Sequence, residues 1–194
     1  LCRLIGDAYD RPTTCLYSAM DAPLGYAIGN RLEVEEAWSV LGGGGPDDVR
    51  ELALTMAAAL LPLADLGLNE TDARRAAETA LDDGRAAEHF ERWCYVQGGR
   101  WKPGEFHRLA AQDVTSPSAG YVTAIDALAV GRAAQLSGAG RRTVDDAVDP
   151  VAGVLLRHRV GDQVEKQEIV ASVFARDTTR RAQAHAILSE AFTF

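Results

Sequence analysis

Thr13-Thr14-Cys15-Leu16-Tyr17-Ser18-Ala19, running on into Met20-Asp21-Ala22-Pro23-Leu24-Gly25-Tyr26-Ala27-Ile28-Gly29-Asn30, is the stretch on which the fold class turns. Its first seven residues are a short apolar, β-prone run, the pattern of a buried strand. Leu1 to Tyr9 ahead of it reads as the end of a helix. A helix feeding a short buried strand is one piece of a parallel α/β sheet, so further strands are expected before it and the chain reads as a fragment. The second part, around Pro23 to Asn30, reads as a turn. Asn30 can cap a helix from Arg31 to Leu41, which Gly42 to Gly45 stop.

Outward from this stretch the pattern is helical. Pro46 opens a helix whose Val49, Leu52, Ala53, Met56, Ala57, Leu60 and Leu61 recur at three- and four-residue steps, one apolar face. Asn69 caps a third helix, with Glu70 and Asp72 favouring its positive end, and Gly84 separates it from a fourth over Arg85 to Val96. From Val114 the character changes. Tyr121 and Val122 are strand-like, Ile125 to Leu136 has helical spacing, and Val151 to Val160, a Gly161-Asp162 turn and Ile169 to Phe174 read as a β-hairpin system. A helix around Thr178 to Glu190 closes the chain.

Composition bounds the function. The 194 residues, 47% hydrophobic and 25% charged, suit a soluble globular domain that buries about 70% of its unfolded surface. The net charge of −8, with no basic stripe, works against nucleic-acid binding. No run approaches the roughly 18 apolar residues of a membrane span, and no signal-peptide pattern opens the chain, so no membrane and a cytoplasmic location are expected. Cys2, Cys15 and Cys94 lack metal-site spacing, and His89, His107, His158 and His185 are scattered without a paired-ligand pattern. Trp38, Trp93 and Trp101 are far apart and are expected to pack or line helix edges. Gly42 to Gly45 is no phosphate-binding P-loop, because no Lys-Ser or Lys-Thr follows. Asp145, Asp146 and Asp149 read as a solvated acidic turn, and Gly138 to Arg142 as a surface turn that could act as a mobile flap.

Met20 to Asn30, followed by Leu32-Glu33-Val34 and Glu36-Ala37, resembles the MxxPLGxAxGNxLEVxEA segment of pyrimidine-nucleoside (thymidine) phosphorylases. Further blocks follow in that family's order: Gly43 to Leu52, Gln97 to Gly99, Gly120 to Val122, Gly138 to Arg141, and Asp149 to Ala175. Gln167 departs from the family, standing where a glycine is usual after Lys166. The resemblance implies an α/β fold: the C-terminal part of the larger α/β domain of a nucleoside phosphorylase, with a helical layer and a β-rich C-terminal lobe. On that reading residues 1–110 belong to the central glycosyltransferase-type region and 111–194 form the C-terminal lobe.

The implied reaction is phosphorolysis, in which phosphate as co-substrate attacks the anomeric carbon of thymidine or another pyrimidine nucleoside, giving free base and pentose 1-phosphate. The phosphate loop and base-binding residues of the family precede the matched region, so no catalytic residue is assigned in this chain, which taken alone is expected to be inactive. The resemblance also implies a monovalent cation, potassium, held by the carbonyls of Leu24 and Ala27 and the carboxylate of Glu36. Hard cations take oxygen ligands, and a turn can aim successive carbonyls at one point. The alternative for Glu36 is a solvated helix charge. The implied partners are the N-terminal half of the same enzyme and a second subunit in a homodimer.

Three other readings stand beside this one. A noncatalytic half or scaffold fits the absent catalytic segment. A phosphorylase acting on nucleoside monophosphates shares the α/β plan, but PLGYAIGN favours the pyrimidine-nucleoside group. Val160 to Ala175 also resembles half of a lipoyl or biotinyl carrier module. There the modified lysine follows the second strand, whereas here Lys166 precedes it and no lysine lies in Ala175 to Thr179.

Overall fold

The computed structural model describes residues 1–64, 66–104, 109–141 and 143–194. His107 and Arg142 therefore lie outside the described residues. In chain order the elements are α1 (Cys2–Ala8), β1 (Ala27–Ile28), α2 (Asn30–Leu41), α3 (Asp47–Leu60), α4 (Glu70–Asp82), α5 (Arg85–Val96), β2 (Ala111–Thr115), β3 (Gly120–Tyr121), β4 (Ala124–Ile125), α6 (Ala127–Ala134), β5 (Gly153–Leu156), β6 (Gln163–Val164), β7 (Ile169–Phe174), α7 (Thr178–Glu190) and β8 (Phe192–Thr193). A 3-10 turn, Leu61–Ala64, follows α3, and a π turn, Gln135–Ala139, extends α6. Two compact units result: a helical unit of Leu1–Ala19 with Trp38–Trp101, and a β unit of Met20–Ala37 with Lys102–Phe194.

The helical unit is fixed by its caps and a few buried residues. The Asn69 side chain accepts from the Asp72 N–H at 2.9 Å, which satisfies a donor that the start of α4 would leave open. Arg74 on α4 forks onto Glu51 of α3 at 2.9 and 2.6 Å, holding the Glu51 carboxyl below the usual carboxylate range. Leu54, Ala58, Ala73 and Leu81 are buried along α3 and α4. The tryptophans, far apart in sequence, converge: Phe90 lies 5.6–5.9 Å from the rings of Trp38, Trp93 and Trp101.

Thr13 to Ala19 is not a strand. The segment is without regular structure, and Tyr17 is 98% exposed. A strand needs a neighbour for its backbone N–H and C=O groups, and no described strand lies alongside it.

In the β unit, the four-stranded sheet has the order β1-β5-β7-β2, with every neighbouring pair antiparallel. β7 is central and buried from Val170 to Phe174, which is why Ile169–Phe174 reads as a continuous apolar run rather than an alternation. Val154, Val164, Val170, Val173, Ala184 and Leu188 belong to one core with residues of α6 and α7. β5 and β7 pair as the hairpin reading expects, but the Gly161-Asp162 turn is not the tip of a simple hairpin. β6 leaves the pair to join β3 in a separate two-stranded sheet, Gly120 opposite Val164. Gln167, where the family carries glycine, has φ 67°, a left-handed conformation that costs an L side chain about 1 kcal/mol or more. The turn tolerates it because Gln167 N–H donates to Ser116 O at 2.8 Å and Glu168 N–H to Glu165 O at 3.1 Å.

Candidate functional site

Residues 24–29 form an irregular turn entering β1, with Gly25, Ala27 and Gly29 buried. Two carboxylates of α2, Glu33 and Glu36, hold it. Glu36 Oε1 accepts from the N–H groups of Tyr26, at 2.8 Å, and Ala27, at 3.1 Å. Glu33 Oε1 accepts from Gly29 N–H at 2.8 Å. Glu36 is thus directed at the turn and is not the solvated helix charge of the alternative reading.

The ladder decides where the Ala27 N–H points. Leu156 N–H donates to Tyr26 O at 2.8 Å, so in the antiparallel register Ala27, opposite Leu155, occupies a non-hydrogen-bonded position. The Ala27 N–H accordingly faces away from β5, where Glu36 takes it. Leu24 is half exposed at the start of the turn. Backbone carbonyls and the Glu36 carboxylate on one turn are oxygen donors, the ligand type that hard cations take. Among the described residues no group of three or more His, Cys, Asp or Glu side chains could hold a metal, and the acidic residues 145, 146 and 149 form no such cluster. Asp146 instead accepts from Thr143 N–H and Oγ1, and Asp149 pairs with Arg176 at 2.6 Å.

The turn is seated by a backbone crossing. A Cβ on Gly153 would stand 2.3 Å from Ile28 O, and one on Gly29 would stand 2.5 Å from Ala152 O. Only glycine permits this approach at either position. Arg31 N–H donates to Pro150 O at 2.9 Å, adding a third point of attachment.

Asn30 departs from the capping role expected of it. It is the first residue of α2, Gly29 N–H is satisfied by Glu33, and the Asn30 amide donates to Ala139 O at 3.0 Å. Beside this bond lies an open pocket of about 370 Å³ lined by Gly29, Asn30, Glu33, Arg132, Gln135 and Gly140, among others. Sequence reading missed the role of Glu33. The Asn30-x-x-Glu33 spacing of a capping box was the available signal. The contact from Asn30 to Ala139 left no local signal at all. Lys166 lies in the turn between β6 and β7, ahead of the last sheet strand.

Residues 121–194 match the family described as pyrimidine nucleoside phosphorylase C-terminal domain. Pyrimidine-nucleoside phosphorylase of Bacillus subtilis is 40% identical over 176 residues, covering 88% of this chain, and that of Geobacillus stearothermophilus is 38% identical over the same share. This chain belongs to the pyrimidine-nucleoside phosphorylase family. The Staphylococcus epidermidis relative is 36% identical over 87% of the chain. The match spans only 41% of the Bacillus and Geobacillus relatives. The mixed helix and sheet architecture here includes residues that match the family's C-terminal domain. No helix among the described residues is long and apolar enough to cross a membrane.

Proposed function

We propose that this chain is the C-terminal portion of an enzyme that cleaves thymidine or another pyrimidine nucleoside with phosphate, releasing the base and a pentose 1-phosphate. The reading is supported by the family match together with the Glu36 carboxylate on the Tyr26 and Ala27 N–H groups, within the segment that carries the resemblance. The transition state of such a reaction is oxocarbenium-like, and the enzyme must place phosphate beneath the sugar, stabilise the departing base and exclude water. By resemblance, those groups come from polypeptide preceding the matched region. The contribution of this chain is positional.

A monovalent cation, potassium, would be held by the Leu24 and Ala27 carbonyls and the Glu36 carboxylate, and its charge would fix neighbouring oxygen ligands in place. Glu36 orients the turn through two N–H groups, Glu33 fixes its far end, and the Gly29 and Gly153 crossing sets its height against the sheet. The exposed Leu4, Ile5, Leu16 and Tyr17 of the helical unit support the need for a complementary N-terminal half to cover them. A homodimer and a cytoplasmic location belong to the same proposal.

The test is complementation. This chain, mixed with the N-terminal portion of the Bacillus subtilis relative, is expected to release thymine from thymidine only when phosphate is present, and to release none when either portion is omitted. Turnover by the chain alone would overturn the assignment of the chemistry to the other portion. A well-folded complex without turnover on any pyrimidine nucleoside would favour the scaffold reading.

A further inference from the structure

Within the β unit, the Gly138–Arg141 connection after α6 is tethered at three points. Two tethers are local: Gln135 Nε2 donates to Arg141 O at 2.6 Å, and Asp149 N–H donates to Gly138 O at 2.9 Å. The third comes from 109 residues away, the Asn30 amide on Ala139 O. Ala139 O can only accept, so the Asn30 group facing it must be the NH2.

Asn30 directly follows the turn that Glu33 and Glu36 hold. Gly29 packs so closely on Ala152 and Gly153 that a Cβ there would stand 2.5 Å from Ala152 O, and Arg31 N–H donates to Pro150 O. A change in the turn therefore has a stiff path to Asn30, and Asn30 passes it to Ala139. The Asp149-Pro150 pair extends the same path, since Asp149 N–H holds Gly138 O while Pro150 O holds the first turn of α2. We propose that Asn30 is a positioning residue that couples occupancy of the oxygen-lined turn by a monovalent cation to the seating of the Gly138–Arg141 connection. The proposal rests on the cation reading given above.

Amide hydrogen exchange tests it, on this chain alone and with the N-terminal portion of the Bacillus subtilis relative added, in potassium chloride against choline chloride at equal ionic strength. In the unmodified chain potassium is expected to slow exchange at residues 26–28 and at 139–141 together. Asn30→Asp keeps the size of the side chain and favours a helix start but has no donor. Its 139–141 amides should exchange about 5-fold faster, the effect of one lost hydrogen bond, and should no longer respond to potassium while 26–28 still do. Asn30→Ser serves if Asn30→Asp does not fold. Slowing confined to 26–28 in the unmodified chain, or an undiminished response at 139–141 in the variants, would overturn the coupling alone. No response at 26–28 in any sample would overturn the cation reading and the coupling with it.

Discussion

The helical unit and the β unit bury their apolar residues in different ways. In the β unit Val154, Val170, Val173 and Leu188 are completely buried in one contiguous core, and the sheet leaves β7 no solvent-facing side beyond Ile169. In the helical unit the described buried residues are few, Val40, Leu54 and Leu81 the largest of them, while Leu60, Trp93, Tyr95 and Val96 stay more than half exposed. α5 has no buried residue at all. Amphipathic helices without a covered stripe gain little from packing and rely on caps and ion pairs, whereas a central strand covered on both faces draws roughly 1.5–3 kcal/mol from each large apolar side chain. The β unit closes a contiguous core, and the helical unit leaves large apolar side chains exposed.

The sharpest way to break this contrast is a matched pair of truncations. Leu188→Ala is expected to cost the β unit about 2–5 kcal/mol, and Leu54→Ala in the helical unit to fall at the low end of that range. All three tryptophans lie in the helical unit, so urea melts followed by tryptophan fluorescence report that unit while far-UV circular dichroism reports both. Equal losses from the two substitutions would erase the distinction.

Next in size is Gly153→Ala, whose new methyl group would lie 2.3 Å from Ile28 O. A cost of about 1–3 kcal/mol is expected, with faster amide exchange at Tyr26 and Ala27 as the turn loosens. A neutral effect would show that β1 is not seated by the crossing. Gln167→Gly runs the other way. Removing the side chain from φ 67° should raise the circular dichroism melting midpoint, by about 0.5–1 kcal/mol of added stability after the entropy of glycine is subtracted. An unchanged or lowered midpoint would mean the turn is not strained.

The smallest effect is electrostatic and belongs to the helical unit. The Arg74 hydrogen bonds hold the Glu51 carboxyl low, and the Arg85 backbone N–H does the same for Asp83. A carboxyl lowered on folding stabilises above its unfolded pKa, and the contribution is lost as the pH falls through the lower folded value. Tryptophan fluorescence melts should therefore show a modest loss below about pH 4, reduced by salt and by Glu51→Gln. A loss seen by circular dichroism with none in the tryptophan signal would contradict the assignment.

Local chemistry made some of this legible in the chain. Asn69 with Asp72, Gly84 before α5 and the valine runs of β5 and β7 each carry their information within a few residues, and the helices and strands followed. Thr13 to Ala19 shows the opposite case. Its composition is that of a strand, but pairing depends on a neighbour that composition cannot supply. The tryptophans pack as expected, but their spacing says nothing about Phe90 being the ring they share. At the candidate site Leu24, Ala27 and Glu36 were named through the resemblance. That Glu36 reaches the turn through two N–H groups, and that Glu33 assists it, required coordinates.

The sequence by itself determined the family, the Asn69 cap and most of the helices, because these depend on residue type and short spacing. Only the tertiary structure decided that β1 pairs with β5, why Gly29 and Gly153 must both lack a side chain, and that Asn30 meets Ala139. Those are contacts between backbones and side chains far apart in the chain, set by strand register and close approach, and no local preference encodes them.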